Sequence, residues 1–426
     1  MSKFQIIFTA IFGFFIIAGV MLFATFKGKD DLQLPAITIW GTVPESTFRA
    51  FVNEFNYTLE KPLTITYVEK KESTFHQEYV ETLARSQGPD ALLVPHELIL
   101  KEEDKLIPVP YDVLSEREFK NTFIQPAELY LNSRGVLALP LSIDPLVMYW
   151  NRDHFTNAGL ATYPRYWGDF EVLAEKITRK DAASNITRSA VALGEFRNVT
   201  NAKEILTTLI LQTGDPIVKR TVDGPRVTFE AGQSGNSATQ EAVQFFTEFS
   251  NPVRPLYSWN RALPVSKNFF VSEDLATYFG FSSELADIRD KNPNLNFDVA
   301  PLPQVKDAKN RVTFGKINAF AISKSSRDPN GTFQVLDLLT SPEALTIWST
   351  QTGLPPVRRD LLSRSPQDPY LAVFYDAALT SRAWIDPDPQ ATNAIFQRMV
   401  ESVLSSRNSL QDAIDRAGRE LQDLYK

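Results

Sequence analysis

The sequence predicts an α/β protein built as two lobes. Three observations carry this: a length of 426 residues, a β-α-β-α-β alternation over residues 36–95, and a turn to helix-rich patterning beyond about residue 145. With 43% hydrophobic and 22% charged residues, the chain has the composition of a folded protein with two real cores.

The alternation begins with "AITIWG", a β-branched and aromatic strand ending at Gly41. "ESTFRAFVNEFNYTLE" follows as an amphipathic helix, because Phe48, Phe51, Val52 and Phe55 recur at helical spacing. "LTITYVEK", "TFHQEYVETLARSQ" and "PDALLVP" then read as strand, helix and strand, the last entered through Gly88 and Pro89. Such alternation predicts a mostly parallel sheet with crossover helices. "WGDFEVLAEKIT", "AKEILTTLILQTG" and "SATQEAVQFFTEFSN" read as helices of a second lobe, and "LNFDVAPLP" and "VTFGKINAFAIS" as strands. "GTFQVLDLLTSPEALTIWSTQTG" divides into two helices, the second opening at Ser341 with Pro342 in its first position. The tail gives two more helical faces, one of Ile395, Met399 and Val403 and one of Leu410, Ile414, Ala417, Leu421 and Leu424. No repeat of fixed period is present.

Residues Phe4–Phe26 hold no charge over 23 positions. At about 1.5 Å per residue they reach about 34 Å, enough to span a bilayer. Their exit, "LFATFKGKDD", crowds its one alanine with Phe and Lys, which favours an uncleaved anchor over a signal cut near Ala24. Both readings export the remainder.

The formal charge of −7 and the absence of any basic run exclude a nucleic-acid binder. With no cysteine, the chain has no disulfide, no thiolate and no sulfur metal site. His76, His96 and His154 lack metal-ligand spacing and read as solvated or capping residues. No Walker loop, dinucleotide fingerprint or nucleophile elbow occurs, and "DPDP" at Asp386 and Asp388 reads as a turn, not a glycosidase pair. Neither an enzyme nor a cofactor is expected.

One stretch asks for a binding role. "GVLALPLSIDPLVMYWNRDHFTNAGL" runs an apolar strand through a single acid, Asp144, and then presents Tyr149, Trp150 and Asn151. In order and nearly end to end, residues 36–426 resemble the extracellular solute-binding proteins of ABC importers, in the sugar-binding group that includes maltose-binding protein. The fragments that carry the likeness are "PDALLVP", the stretch around Asp144, "WGDFEVLAEKIT", "ATYFGFSSEL", "NPNLNFDVAPLP", "GKINAFAIS", "TSPEALTIWSTQTGLPPVRRDLL" and "SLQDAIDRAGRELQDL".

The resemblance implies a two-lobe periplasmic-binding-protein-like fold of type II, with a hinge and an interlobe cleft. It implies an anchor and tether over 1–31, a first lobe of 32–143 plus 315–380, and a second, helix-rich lobe of 144–314 plus 381–426. The implied partners are a polar solute, foremost a sugar or oligosaccharide, and the permease subunits of an importer. The molecule is then a monomer on the outer face of the cytoplasmic membrane, anchored by its N-terminal helix. The same fold used as a membrane-anchored sensor or adaptor is the alternative.

The resemblance implies that Asp144 is an acidic ligand contact, since a carboxylate accepts two hydroxyl donors; the residues alone also read as a helix-capping or loop-forming acid before Pro145. Trp40, at the carboxyl end of the first strand, reads either as a cleft aromatic or as a core residue. Glu45 reads either as a first-loop contact or as a first-turn carboxylate facing the helix dipole. Tyr149, Trp259 and Trp384 are candidate sugar platforms, the last two from proline-rich loops. Where many relatives carry a Gly-Ser-Trp-like segment, "YFGFSSEL" puts Phe281, Ser282 and Ser283, so Phe281 and Ser282 join the candidates. Trp167 and Trp348 read as packing residues.

Overall fold

The computed structural model describes residues 34–214, 216–222, 224–228, 238–364 and 366–426. The anchor expected over Phe4–Phe26 lies outside them; among the described residues no helix is long and apolar enough to cross a membrane.

The strands of the main sheet, in chain order, are β1 (Ile37–Gly41), β2 (Ile65–Glu69), β3 (Ala91–Pro95), β4 (Leu106–Ile107), β5 (Leu139–Asn151), β6 (Arg179–Lys180), β7 (Ile186–Val191), β8 (Leu275–Phe281), β9 (Phe297–Ala300), β10 (Thr313–Ser323) and β11 (Ser381–Arg382). The helices used below are α1 (Glu45–Asn56), α2 (Glu72–Ala84), α3 (His96–Lys101), α4 (Ala202–Gln212), α5 (Ala238–Glu248), α6 (Pro342–Thr352), α7 (Pro369–Thr380), α8 (Pro389–Leu404) and α9 (Leu410–Asp423).

β1 alternates buried and half-buried residues and pairs in parallel with β2 and β3, as the βαβ patterning predicts. α1 lays Phe48, Phe51, Val52 and Phe55 on this sheet. Phe48 stacks on Tyr67 at 4.3 Å, and Phe51 meets the Trp348 indole edge-on at 5.2 Å. α6 supplies that indole. Its Ser341 hydroxyl accepts from the Ala344 amide at 3.2 Å, and the helix ends at Gly353 with φ +70°, a conformation glycine adopts without a Cβ clash.

The sheet departs from a mostly parallel one at its centre. Its order is β2-β1-β3-β10-β5-β8-β7-β6, and β10 runs antiparallel to both β3 and β5. β5 is 13 residues long, about twice a usual strand. Leu139 to Pro145 pair with β10, whereas Leu146 to Trp150 pair with β8, and Met148 to Asn151 with β9. The chain therefore changes lobes between Pro145 and Leu146. β10 makes the return passage around Gly315, where β11 joins it in parallel.

Helices surround the second half of β5. α4, α5, α8 and α9 contribute Leu206, Leu209, Val243, Phe246, Ile395, Phe396, Ile414 and Leu421 to one core with Phe170 and Phe279. Phe374 and Ala377 of α7 belong to it as well.

Gly315 has no room for a side chain. A Cβ there would lie 2.7 Å from the Ser381 hydroxyl and 2.8 Å from Cδ1 of Ile143, at the point where three chain passages meet. Gly315→Val is expected to lower stability by about 1–3 kcal/mol through overpacking, read from the midpoint of urea unfolding.

Candidate functional site: a charged cleft between the lobes

β2 and β3 end their carboxyl edges at α2 and α3, which present Glu72, Ser73, His76, Glu97 and Lys101 from the first lobe. Opposite, α4 opens with Lys203 and Glu204, and α8 opens with Pro389 after Asp388. Lys316 rises from β10 between them. Together these elements enclose a cavity of about 440 Å³, within the range of small-molecule sites. Its walls are charged, and no Phe, Tyr or Trp ring lines it among the described residues.

Most charges in the cleft are matched. Lys101 Nζ lies 2.6 Å from Asp388 Oδ2 and thereby joins the two lobes. Lys203 Nζ lies 2.9 Å from Asp386 Oδ2, with the two side chains 5% and 1% exposed. Asp386 also accepts from the Thr392 hydroxyl at 2.9 Å and from the Asp388 amide at 3.1 Å. Lys316 Nζ stands 3.7 Å from Glu204 Oε1 and 5.0 Å from the centre of the Phe281 ring.

In register, Lys316 faces Asp144 across the β5–β10 ladder. Asp144 Oδ1 accepts from the Ser282 hydroxyl at 2.7 Å and the Ser283 amide at 3.0 Å. Burial pushes the Asp144 carboxyl up, and these donors offset part of that rise. Burial pulls the Lys316 ammonium down, but the carboxylates of Glu204, Glu97, Glu72 and Asp144 outweigh it and hold the group above the usual lysine range. The same logic holds Glu97 below the carboxylate range: burial opposes ionisation, and His96, Lys316 and Lys203 overcome it. His96 itself is wholly buried, which lowers its affinity for a proton.

Three of the residues singled out in the sequence, Asp144, Phe281 and Ser282, come together where β5 and β8 meet, beside Lys316. Trp40 and Glu45 do not join them. Trp40 is half-buried, with the Lys70 ammonium 4.0 Å over its ring. Glu45 pairs with Arg49, and its amide donates to Glu69 Oε2 at 2.8 Å, the arrangement of a helix start.

The three proposed platforms lie in the core. Tyr149 is fully buried, and its hydroxyl donates to the Phe281 carbonyl at 2.7 Å. Trp259 is fully buried, with its indole N–H on Asn198 Oδ1 at 3.1 Å. Trp384 is 3% exposed and packs near Phe396. Each ring fills lobe interior, Tyr149 from strand β5 and Trp259 and Trp384 from their loops. Neither His96 nor His154 is solvated or a cap: His96 is wholly buried, and His154 is buried with its Nε2 2.6 Å from the Glu273 carbonyl, while Asn151 is the residue that caps the helix by accepting from the His154 amide at 3.0 Å.

The sequence reading missed Glu72, Glu97, Lys203, Glu204 and Lys316. A signal was present for three of them: Lys316 interrupts the apolar "FGKINAF", and Lys203 and Glu204 open the otherwise apolar "AKEILTTLILQ". A larger hollow of about 1150 Å³ touches Trp167, Gln212, Phe245 and Arg382. Its inner polar groups already serve one another: Trp167 donates to Gln212 at 2.6 Å, and Gln212 donates to the Pro303 and Val312 carbonyls. The cleft is the better site.

Removing one partner of the buried pair leaves the other charge uncompensated. Lys203→Met is expected to cost about 3–5 kcal/mol in urea unfolding, and adding Asp386→Leu to recover most of that. His96 and His154 are both held below the usual imidazole value by burial, so the unfolded chain takes up protons that the folded chain resists. Their contribution to stability is fully present above about pH 6.5 and falls away below it. The melting temperature is therefore expected to drop between about pH 6.5 and 5, and the double variant His96→Gln/His154→Gln to flatten that drop.

Residues 40–346 match the family model described as bacterial extracellular solute-binding protein. No curated protein matches the chain. Among solved structures, a cyclo/maltodextrin-binding protein complexed with maltotetraose superposes with a TM-score of 0.72 at 16% identity, covering 91% of this chain and 96% of that one. The cyclic alpha-maltosyl-1,6-maltose binding protein of Arthrobacter globiformis gives 0.72 at 17% identity, over 92% and 98%. An ABC transporter solute-binding protein of Thermotoga lettingae bound with alpha-D-tagatose gives 0.64 at 21% identity, over 92% and 99%. The two-lobe α/β architecture is shared with all three, and the match over residues 40–346 shows that this chain belongs to the bacterial extracellular solute-binding proteins.

Proposed function

We propose that the protein is the substrate-binding component of an ABC importer: it captures a polar solute between its lobes and delivers it to the permease without chemical change. The observation that carries this reading is a cavity with walls from both lobes, placed where β5 and β10 pass from one lobe to the other. A solute touching both walls favours the closed arrangement over the open one, and a receptor of this kind signals occupancy in that way. The three relatives named above are described with carbohydrate or as carbohydrate binders, which supports a sugar-like, hydroxyl-rich solute here. Asp144 and Ser282 lie beside Lys316 but outside the cavity lining, bonded to each other, and so support the lysine from behind the wall.

The same reading places the folded part outside the cytoplasmic membrane as a monomer, tethered by the apolar segment Phe4–Phe26. We assign the lobes as 32–145 plus 315–368 and 146–314 plus 369–426, adjusting the bounds expected from the sequence (32–143 plus 315–380 and 144–314 plus 381–426) for the partner exchange of β5 after Pro145 and for the packing of Phe374 and Ala377 in the second core.

Two measurements test it. A thermal-shift screen of residues 32–426 against mono- and oligosaccharides, amino sugars and polyols is expected to show stabilisation by one solute class, worth about 2.7 kcal/mol at a hundredfold excess over Kd. No shift with any class removes the receptor reading. Separately, Lys101→Ala deletes the interlobe ion pair, and small-angle scattering is expected to show a larger radius of gyration without solute and a return to the wild-type value at saturation.

A further inference from the structure

The solute-capturing reading leaves the chemistry of the solute open, and the charges of the cleft narrow it. Its lining includes the acids Glu72, Glu97, Glu204 and Asp388 and the bases Lys101, Lys203 and Lys316. Each base already has an acid of its own: Lys101 has Asp388, Lys203 has Asp386 beneath the wall, and Lys316 has Glu204. Glu72 and Glu97 remain. Among the described residues no lysine or arginine nitrogen comes within 4.0 Å of either carboxylate.

Glu97 is the more telling of the two. Its residue is 5% exposed, yet it lines the cavity, and its Oε2 has no hydrogen-bond donor. His96 Nδ1 lies 3.0 Å from that oxygen, but the pair lacks hydrogen-bond geometry; the same nitrogen is approached by the Ile317 amide at 3.4 Å. That oxygen is closed to solvent, so a solute meets the carboxylate through the part of Glu97 that lines the cavity, and the charge it meets there has no lysine or arginine in contact. Glu72 stands at the exposed rim of the same cavity. A neutral hydroxyl would leave the excess negative charge of Glu97 and Glu72, whereas an ammonium group offsets it, with several donors on one compact charge. The absence of a lining Phe, Tyr or Trp ring among the described residues removes the broad stacking surface that a flat, neutral sugar face would use.

We infer that the cleft takes a polar solute bearing a protonated primary amine, an amino sugar in the first instance, with its ammonium held between Glu97 and Glu72. This rests on the solute-capturing reading and adds the charge of the solute to it.

The test compares matched probes by calorimetry at pH 7 and low salt: glucosamine and its β-1,4 dimer, their N-acetylated counterparts, and maltose. The amines are expected to bind at least tenfold more tightly than the acetylated forms, with affinity falling as salt rises. Glu97→Gln is expected to erase that preference. Glu72→Gln, at the exposed rim, is expected to weaken the amines severalfold and serves even where Glu97→Gln impairs folding. Tighter binding of maltose or an acetylated sugar would overturn the amine assignment while leaving the receptor reading intact. An amine preference unchanged in both variants would place the ammonium elsewhere and overturn the site. Binding of no probe, with no shift in the wider solute screen either, would remove both.

Discussion

Two long strands must pass side by side from one lobe to the other, and the rest of the structure depends on that passage. β5 and β10 form one antiparallel ladder in the first lobe, and β5 then exchanges its partner for β8 and β9 in the second. A backbone crossing between two cores needs its hydrogen bonds satisfied on both sides, and a continuous ladder does this without a loop. The cost is that side chains at the crossing belong to neither core. There the strands carry an acid and a base, Asp144 and Lys316, in register with each other.

Charges in such a place are tolerated when each has a partner, and the cleft is organised by that requirement. Lys203 is more deeply buried than Lys316 and correspondingly better served, by Asp386 with Thr392 behind it. Lys316, more open, is content with Glu204 at longer range and the face of Phe281. The Lys101–Asp388 contact differs in kind, since it is partly exposed and joins helices anchored in different cores. Pairs of that sort are worth little in stability, so it can break and form as the lobes move without threatening either core. On the proposed capture reading, the deep pair holds the second wall of the cleft together and the shallow one is the contact that opening would break.

Elements with strong periodicity were legible in the sequence. The first three strands, the helix carrying Phe48 to Phe55 and the Ser341–Pro342 helix start all follow from local pattern and capping chemistry. The antiparallel central ladder was not, because pairing partners more than a hundred residues apart leave no mark on local alternation. At the site, Asp144 stood out as a lone acid in an apolar strand. Glu97 did not, since "VPHELILK" reads as an ordinary polar turn into a helix until β3 places it at a strand's carboxyl end. Trp259 and Trp384 failed as site candidates for a related reason: a proline-rich loop signals irregular backbone, not the direction in which its tryptophan points.

The placement of aromatic residues bears on how such a cleft achieves selectivity. Tyr149, Trp259 and Trp384 sit inside the second lobe and Trp348 inside the first, so the large apolar surfaces stabilise the lobes and none lines the cavity among the described residues. An aromatic platform tolerates many sugars, because every sugar ring offers a C–H face. A wall of fixed charges is less permissive: a group of the wrong charge, or one without donors for Glu97, leaves a buried polar atom unpaired, and that penalty exceeds the gain from a good fit elsewhere. Selectivity in this cleft therefore rests on rejecting mismatched charge. That works only if the carboxylates stay ionised, and at Glu97 burial opposes this while His96, Lys316 and Lys203 supply the field that favours it.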